Sequence, residues 1–81
     1  MVHENLVRGD LIKKALDSLQ FLGASLQLSI IEYLEKRGNR FDEQNSYSLS
    51  KIEKDIAAIF GPNAASLLVE RLRRAIETIN T

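Results

Sequence analysis

Apolar residues recur along this chain at helical spacing, about 100° per residue, and they divide it into four amphipathic segments. In the first, from Asp10 to about Gln20, the stripe is Leu11, Ile12, Ala15, Leu16, Leu19 and Leu22, with Asp10 suited to cap the start and Gly23 to stop the end. The second runs from Ala24 to Arg37 with Leu26, Ile30, Tyr33 and Leu34 inward. Its last turn carries Lys36 and Arg37, cations that suit the negative end of a helix, and Gly38 follows. Polar residues without a period fill Gly38 to Ser48, which reads as a loop with Phe41 and Tyr47 pinned back on the core.

Ser50 and Glu53 match the Ser-x-x-Glu capping box, in which the hydroxyl accepts an unpaired backbone N–H and the glutamate reaches back. They predict the start of a third helix with Ile52, Ile56, Ile59 and Phe60 inward, ended by Gly61-Pro62 because proline cannot continue the backbone ladder. Asn63 is placed to cap a fourth helix, from Ala64 to about Ile79, with Ala65, Leu68, Val69, Leu72, Ala75, Ile76 and Ile79 on one face. On its wet side Glu70 pairs with Arg74 and Arg73 with Glu77, four residues apart. Links this short favour neighbours packed side by side. The expected fold is all-α, a compact bundle of about four amphipathic helices spanning 10–81, preceded by a flexible N-terminal segment over 1–9.

A length of 81 residues allows one domain with a small core, and 44% hydrophobic with 27% charged residues is the balance of a folded globular chain. Without cysteine there is no disulfide, thiolate metal site or thiol nucleophile. The N-terminal stretch lacks the apolar run of a signal peptide and no stretch is long enough to span a bilayer, so a cytoplasmic protein is expected.

The inventory for chemistry is thin. His3 is the single histidine, and Asp42-Glu43 is the nearest approach to an acidic metal-binding pair. Ser25, Ser29 and Ser66 have no base arranged beside them, and Gly9, Gly23, Gly38 and Gly61 each fall at a helix boundary rather than in a phosphate loop. Neither enzymatic activity nor a cofactor or metal is expected, and no small-molecule substrate is evident.

Formal net charge is zero, so there is no global field to attract nucleic acid. The stretch Glu53 to Glu70 partly imitates a helix-turn-helix, but the residues expected to face a major groove are Asn63, Ala64, Ala65, Ser66, Leu68 and Val69, a set poor in donors for bases or phosphates. Candidate contacts to phosphate or to an acidic partner are Lys36, Arg37 and Arg40 at the loop, and Arg71 and Arg74 on the last helix. A nucleic-acid-binding regulator that uses the third and fourth helices is therefore the alternative reading.

Four large apolar residues fall off the core stripes: Phe21 near Lys14 and Asp17, Leu28 near Glu32 and Glu35, Ile31 at the margin of its stripe, and Leu67 among Glu70, Arg71 and Arg74. Gathered together, Leu28, Ile31 and Leu67 would form a patch for self-association, as a homodimer, or for a partner's helix. A non-catalytic interaction or regulatory module follows as the first reading.

Leu22-Gly23 followed by Ile30, Leu34 and Gly38, then Phe41, then Ile59-Phe60-Gly61 followed by Ala64, Leu68 and Ile76 resembles the Nitrososphaera output-domain family of small archaeal domains over nearly the whole chain. The resemblance implies a cytosolic regulatory or adaptor role in archaeal signalling and carries no catalytic residues.

Overall fold

Where the loop and the N-terminal segment were expected, the computed structural model has a small antiparallel sheet whose strands lie against α1 and α3 of a four-helix bundle. The structure describes residues 6–80. Strand β1 (Leu6–Arg8) leads into α1 (Gly9–Ser18), a 3-10 turn (Gln20–Leu22) and α2 (Ala24–Lys36); strand β2 (Ser46–Ser48) leads into α3 (Leu49–Phe60) and α4 (Pro62–Asn80). Leu6 pairs with Ser48, Val7 with Tyr47 and Arg8 with Ser46. The all-α reading holds with this minor sheet added. The segment expected to be flexible is a strand over 6–8 and the first turn of α1 at Gly9; of it, residues 1–5, with His3, lie outside the described residues.

The core is built from Ile12, Leu16, Leu34, Ile52, Ile56, Val69 and Leu72, none of them more than 2% exposed. Helix α4 packs along both α3 and α1, while α2 leans on α1 and α3 and makes little direct contact with α4. A radius of gyration of 11.8 Å agrees with the roughly 11.7 Å of a closed globule this long. Among the described residues no helix is long and apolar enough to cross a membrane.

Three helix starts differ from expectation. Asp10 does not cap α1: the strand carries the chain one residue further into the helix, and Asp10 sits in the first turn, bridged to Arg8 at 3.1 and 3.2 Å. The unpaired N–H groups of Gly9 and Asp10 donate instead to the carbonyls of Asn45 (2.8 Å) and Asp42 (3.1 Å) from the 38–45 loop. For α3 the cap is Ser48, whose Oγ accepts from Lys51 N at 3.2 Å, so that Leu49 enters the helix buried and Ser50 is an exposed first-turn residue. Pro62, not Asn63, opens α4, in the first-turn position where a missing N–H costs nothing, and Ala65 N donates to Gly61 O at 3.1 Å.

Two helix ends are closed in different ways, the first by a distant side chain and the second by the backbone at the expected Gly38. The Gln27 amide nitrogen lies 2.9 to 3.1 Å from the carbonyls of Leu16, Asp17 and Leu19 and so ties the end of α1 to α2. At the end of α2, Gly38 N donates to Glu35 O and Asn39 N to Leu34 O, a Schellman closure that requires the positive φ of 94° at Gly38.

Candidate functional site

Since α2 and α4 scarcely touch, a cleft of about 350 Å³ lies between them, lined by Phe21, Leu22, Leu26, Ile30, Phe60, Ala64, Leu67, Leu68 and Arg71. The 3-10 turn contributes Phe21 and Leu22, α2 contributes Leu26 and Ile30, the last residue of α3 is Phe60, and α4 contributes Ala64, Leu67, Leu68 and Arg71. Phe21 is 65% exposed, Leu67 72% and Phe60 43%, an unusual concentration of large apolar surface on one small domain. The one charged group in the lining, the Arg71 guanidinium, stands 5.5 Å from the centre of the Phe21 ring, in cation–π range.

Sequence reasoning selected Phe21 and Leu67, and the structure brings them to the same cleft. Leu28 is exposed as expected but outside this lining, and Ile31 is a core residue, 5% exposed. The proposed patch of Leu28, Ile31 and Leu67 is corrected accordingly: Ile31 is consumed by packing, and Leu28 lies on α2 about 200° around the helix from the cleft residue Leu26. Leu26, Ile59 and Phe60, expected inward, are 38%, 51% and 43% exposed; α3 ends at Phe60 and α2 makes little direct contact with α4.

The candidate cations separate into engaged and available groups. Arg37 Nε bonds Asp55 Oδ1 at 3.0 Å and its guanidinium stands 5.8 Å from the Tyr33 ring. Arg74 and Arg73 both reach Glu70, at 3.4 Å. Lys36 and Arg40 are exposed, the latter with its backbone N–H donating to Tyr47 Oη at 2.6 Å. Among the described residues Arg71 has no carboxylate in ion-pair reach, and its guanidinium stands over the Phe21 ring at the cleft. Of the positions assigned to a major groove, Ala65, Leu68 and Val69 are buried beneath α4, leaving Asn63 and Ser66 as its exposed hydrogen-bonding groups there.

The second polar constellation, centred on Asp55, was not anticipated. Asn39, 2% exposed, donates from Nδ2 to Leu34 O (2.8 Å) and Asp55 Oδ2 (3.0 Å), while Lys51 Nζ reaches both Asn39 Oδ1 (2.8 Å) and Asp55 Oδ2 (2.9 Å). Burial pushes the Asp55 carboxyl up, but hydrogen bonds from Asn39, Lys51 and Arg37 outweigh it and hold the group below its ordinary value. The cluster joins the end of α2 to α3, and with none of its buried polar atoms left without a partner it reads as a structural clamp.

That direction sets a pH dependence. A carboxyl whose folded value lies below its unfolded value, near 3.9, contributes its full stabilisation above the unfolded value and loses it as pH falls through the folded one. Asp42, lowered by the Asn45 side chain and by the backbone N–H groups of Asn45 and Gln44, acts with the same sign. Unfolding free energy measured by urea titration is therefore expected to be flat with respect to these two groups from pH 7 to 5 and to fall below about pH 4, with a shallower acid limb in Asp55→Ala.

No family model matches the chain, and no curated protein and no solved structure matches it.

Proposed function

We propose that this chain is a non-catalytic interaction module whose cleft between α2 and α4 receives an apolar segment of a protein partner in a regulatory setting. The observation that carries the reading is the exposure of Phe21, Phe60 and Leu67 around a cleft of about 350 Å³ that contains one guanidinium. Burying such surface is the main driving force of association, and aromatic and arginine side chains are the usual anchors of protein interfaces. Among the described residues no group of three or more His, Cys, Asp or Glu side chains converges. A regulatory setting in the cytoplasm is part of this proposal and rests on the sequence resemblance to the Nitrososphaera output-domain family alone.

An anilinonaphthalene sulfonate dye, apolar with one anionic group, is the simplest probe of the cleft. The folded protein is expected to bind it at a single site. Leu67→Glu should weaken that binding at least about tenfold while changing stability by no more than about 0.5 kcal/mol, since Leu67 is 72% exposed. Dye fluorescence unchanged by Leu67→Glu, in a variant that still unfolds cooperatively, would reject the cleft as the binding surface.

A further inference from the structure

The cleft asks for an occupant with an apolar side chain and a carboxylate close by, and the chain presents that combination on its own surface. On α2, Leu28 is 58% exposed, and Glu32 and Glu35 follow it at four and seven residues, so all three share one face. Among the described residues neither glutamate has a cation in ion-pair reach, just as Arg71 has no anion. Leu28 stands about 200° around α2 from Leu26, which lines the cleft, so knob and cleft point in opposite directions. A molecule cannot fill its own cleft with its own Leu28 face; a second copy can.

We infer that copies of this chain associate head to tail, the Leu28 face of α2 in one copy entering the α2–α4 cleft of the next, with Glu32 or Glu35 meeting Arg71. The inference rests on the cleft being an interaction surface, and it adds the occupant. Two features support a second copy. Unpaired charges of opposite sign sit on the two complementary faces, and a formal net charge of zero leaves no long-range repulsion between copies. A cleft-to-cleft dimer would instead bring two unpaired Arg71 guanidinium groups together. Because the two faces differ, the contact is heterologous: each copy can accept one neighbour and donate to another, so growth does not stop at two. The contact is small, so the dissociation constant should be on the order of 100 µM.

Sedimentation velocity up to about 1 mM tests this with two variants that each damage one face, Leu67→Glu in the cleft and Leu28→Ser on the knob, each checked by circular dichroism for unchanged helicity. The wild-type chain is expected to show an average mass that rises past the dimer with concentration. Each variant alone should self-associate at least about tenfold more weakly. An equimolar mixture should recover a heterodimer and nothing larger, since the intact knob of Leu67→Glu fits the intact cleft of Leu28→Ser. A wild-type chain that stays monomeric overturns the inference, and so does Leu28→Ser associating as well as wild type, which would mean a symmetric cleft-to-cleft contact, or a mixture that stays monomeric. Dye binding separates the two ideas: a monomer that still binds the dye in a Leu67-dependent way refutes self-association and leaves the cleft as a site for another protein.

Discussion

Replacing Gly9 by alanine is expected to destabilise the fold by about 3 kcal/mol, although alanine is the better helix former by up to about 1 kcal/mol. A methyl group at this position would run into the carbonyl oxygen of Arg40 and would stand 2.9 Å from Asp42 N and Phe41 Cα, all of them backbone atoms that cannot swing aside. The loop could move only by giving up the bonds from Gly9 N to Asn45 O and from Asp10 N to Asp42 O. Thermal unfolding is the readout: a domain of this size loses roughly 4–8 °C in melting temperature per kcal/mol, so a drop of more than about 10 °C is expected. A melting temperature at or above wild type would mean that the loop does not lie against the start of α1 as described.

Asp55→Ala should remove about 2–3 kcal/mol, the usual range when a buried carboxylate with charged hydrogen-bond partners is deleted. Asn39 would keep its bond to Leu34 O but lose the acceptor at Asp55, while Lys51 and Arg37, about half exposed, could return to water. Equilibrium urea unfolding gives the magnitude, and the variant should show no change in dye binding at the cleft, because none of the cluster lines it. Asp55→Asn is expected to fall between the two, since it keeps the shape but turns one acceptor into a donor facing Asn39, Lys51 or Arg37. A variant as stable as wild type would show that the cluster is incidental to the fold.

These two residues also show where the sequence stops being readable. Four helices followed from hydrophobic spacing because each buries one stripe, and Ile12, Leu16, Ile56, Val69 and Leu72 fall where that spacing puts them. Gly9 looked like another helix boundary, but its demand comes from Arg40 and Phe41, some thirty residues later, and no local pattern encodes that approach. The sheet was missed for the same reason. Three-residue strands carry almost no alternation, and Ser46–Ser48 becomes a strand only because Leu6–Arg8 lies beside it. The start of α3 was misplaced because two capping residues were on offer: Ser48 and Ser50 both qualify, and burial of Leu49 selects Ser48.

The candidate site was half legible. Phe21 and Leu67 stood out because they fall off the helical stripes among charged neighbours, a signal intrinsic to each helix. Leu26 and Phe60 fall on the stripes and so looked like core; they line a cleft where α2 and α4 make little direct contact, which depends on how helices pack. Arg71 was singled out as a cation, but its position over the Phe21 ring joins residues fifty positions apart and becomes visible only in the folded chain. A cleft is a defect in packing between elements, and spacing within one element does not report it.

The most direct test of the account is a proton–nitrogen NMR titration of the wild-type protein with the anilinonaphthalene sulfonate dye. Saturable shifts should concentrate on the backbone amides of Phe21, Leu22, Leu26, Ala64, Leu67 and Leu68 and on Arg71 Nε, with those of α1 and of the Asp55 cluster nearly unmoved. Shifts spread evenly over the surface, or centred away from the α2–α4 cleft, would contradict it.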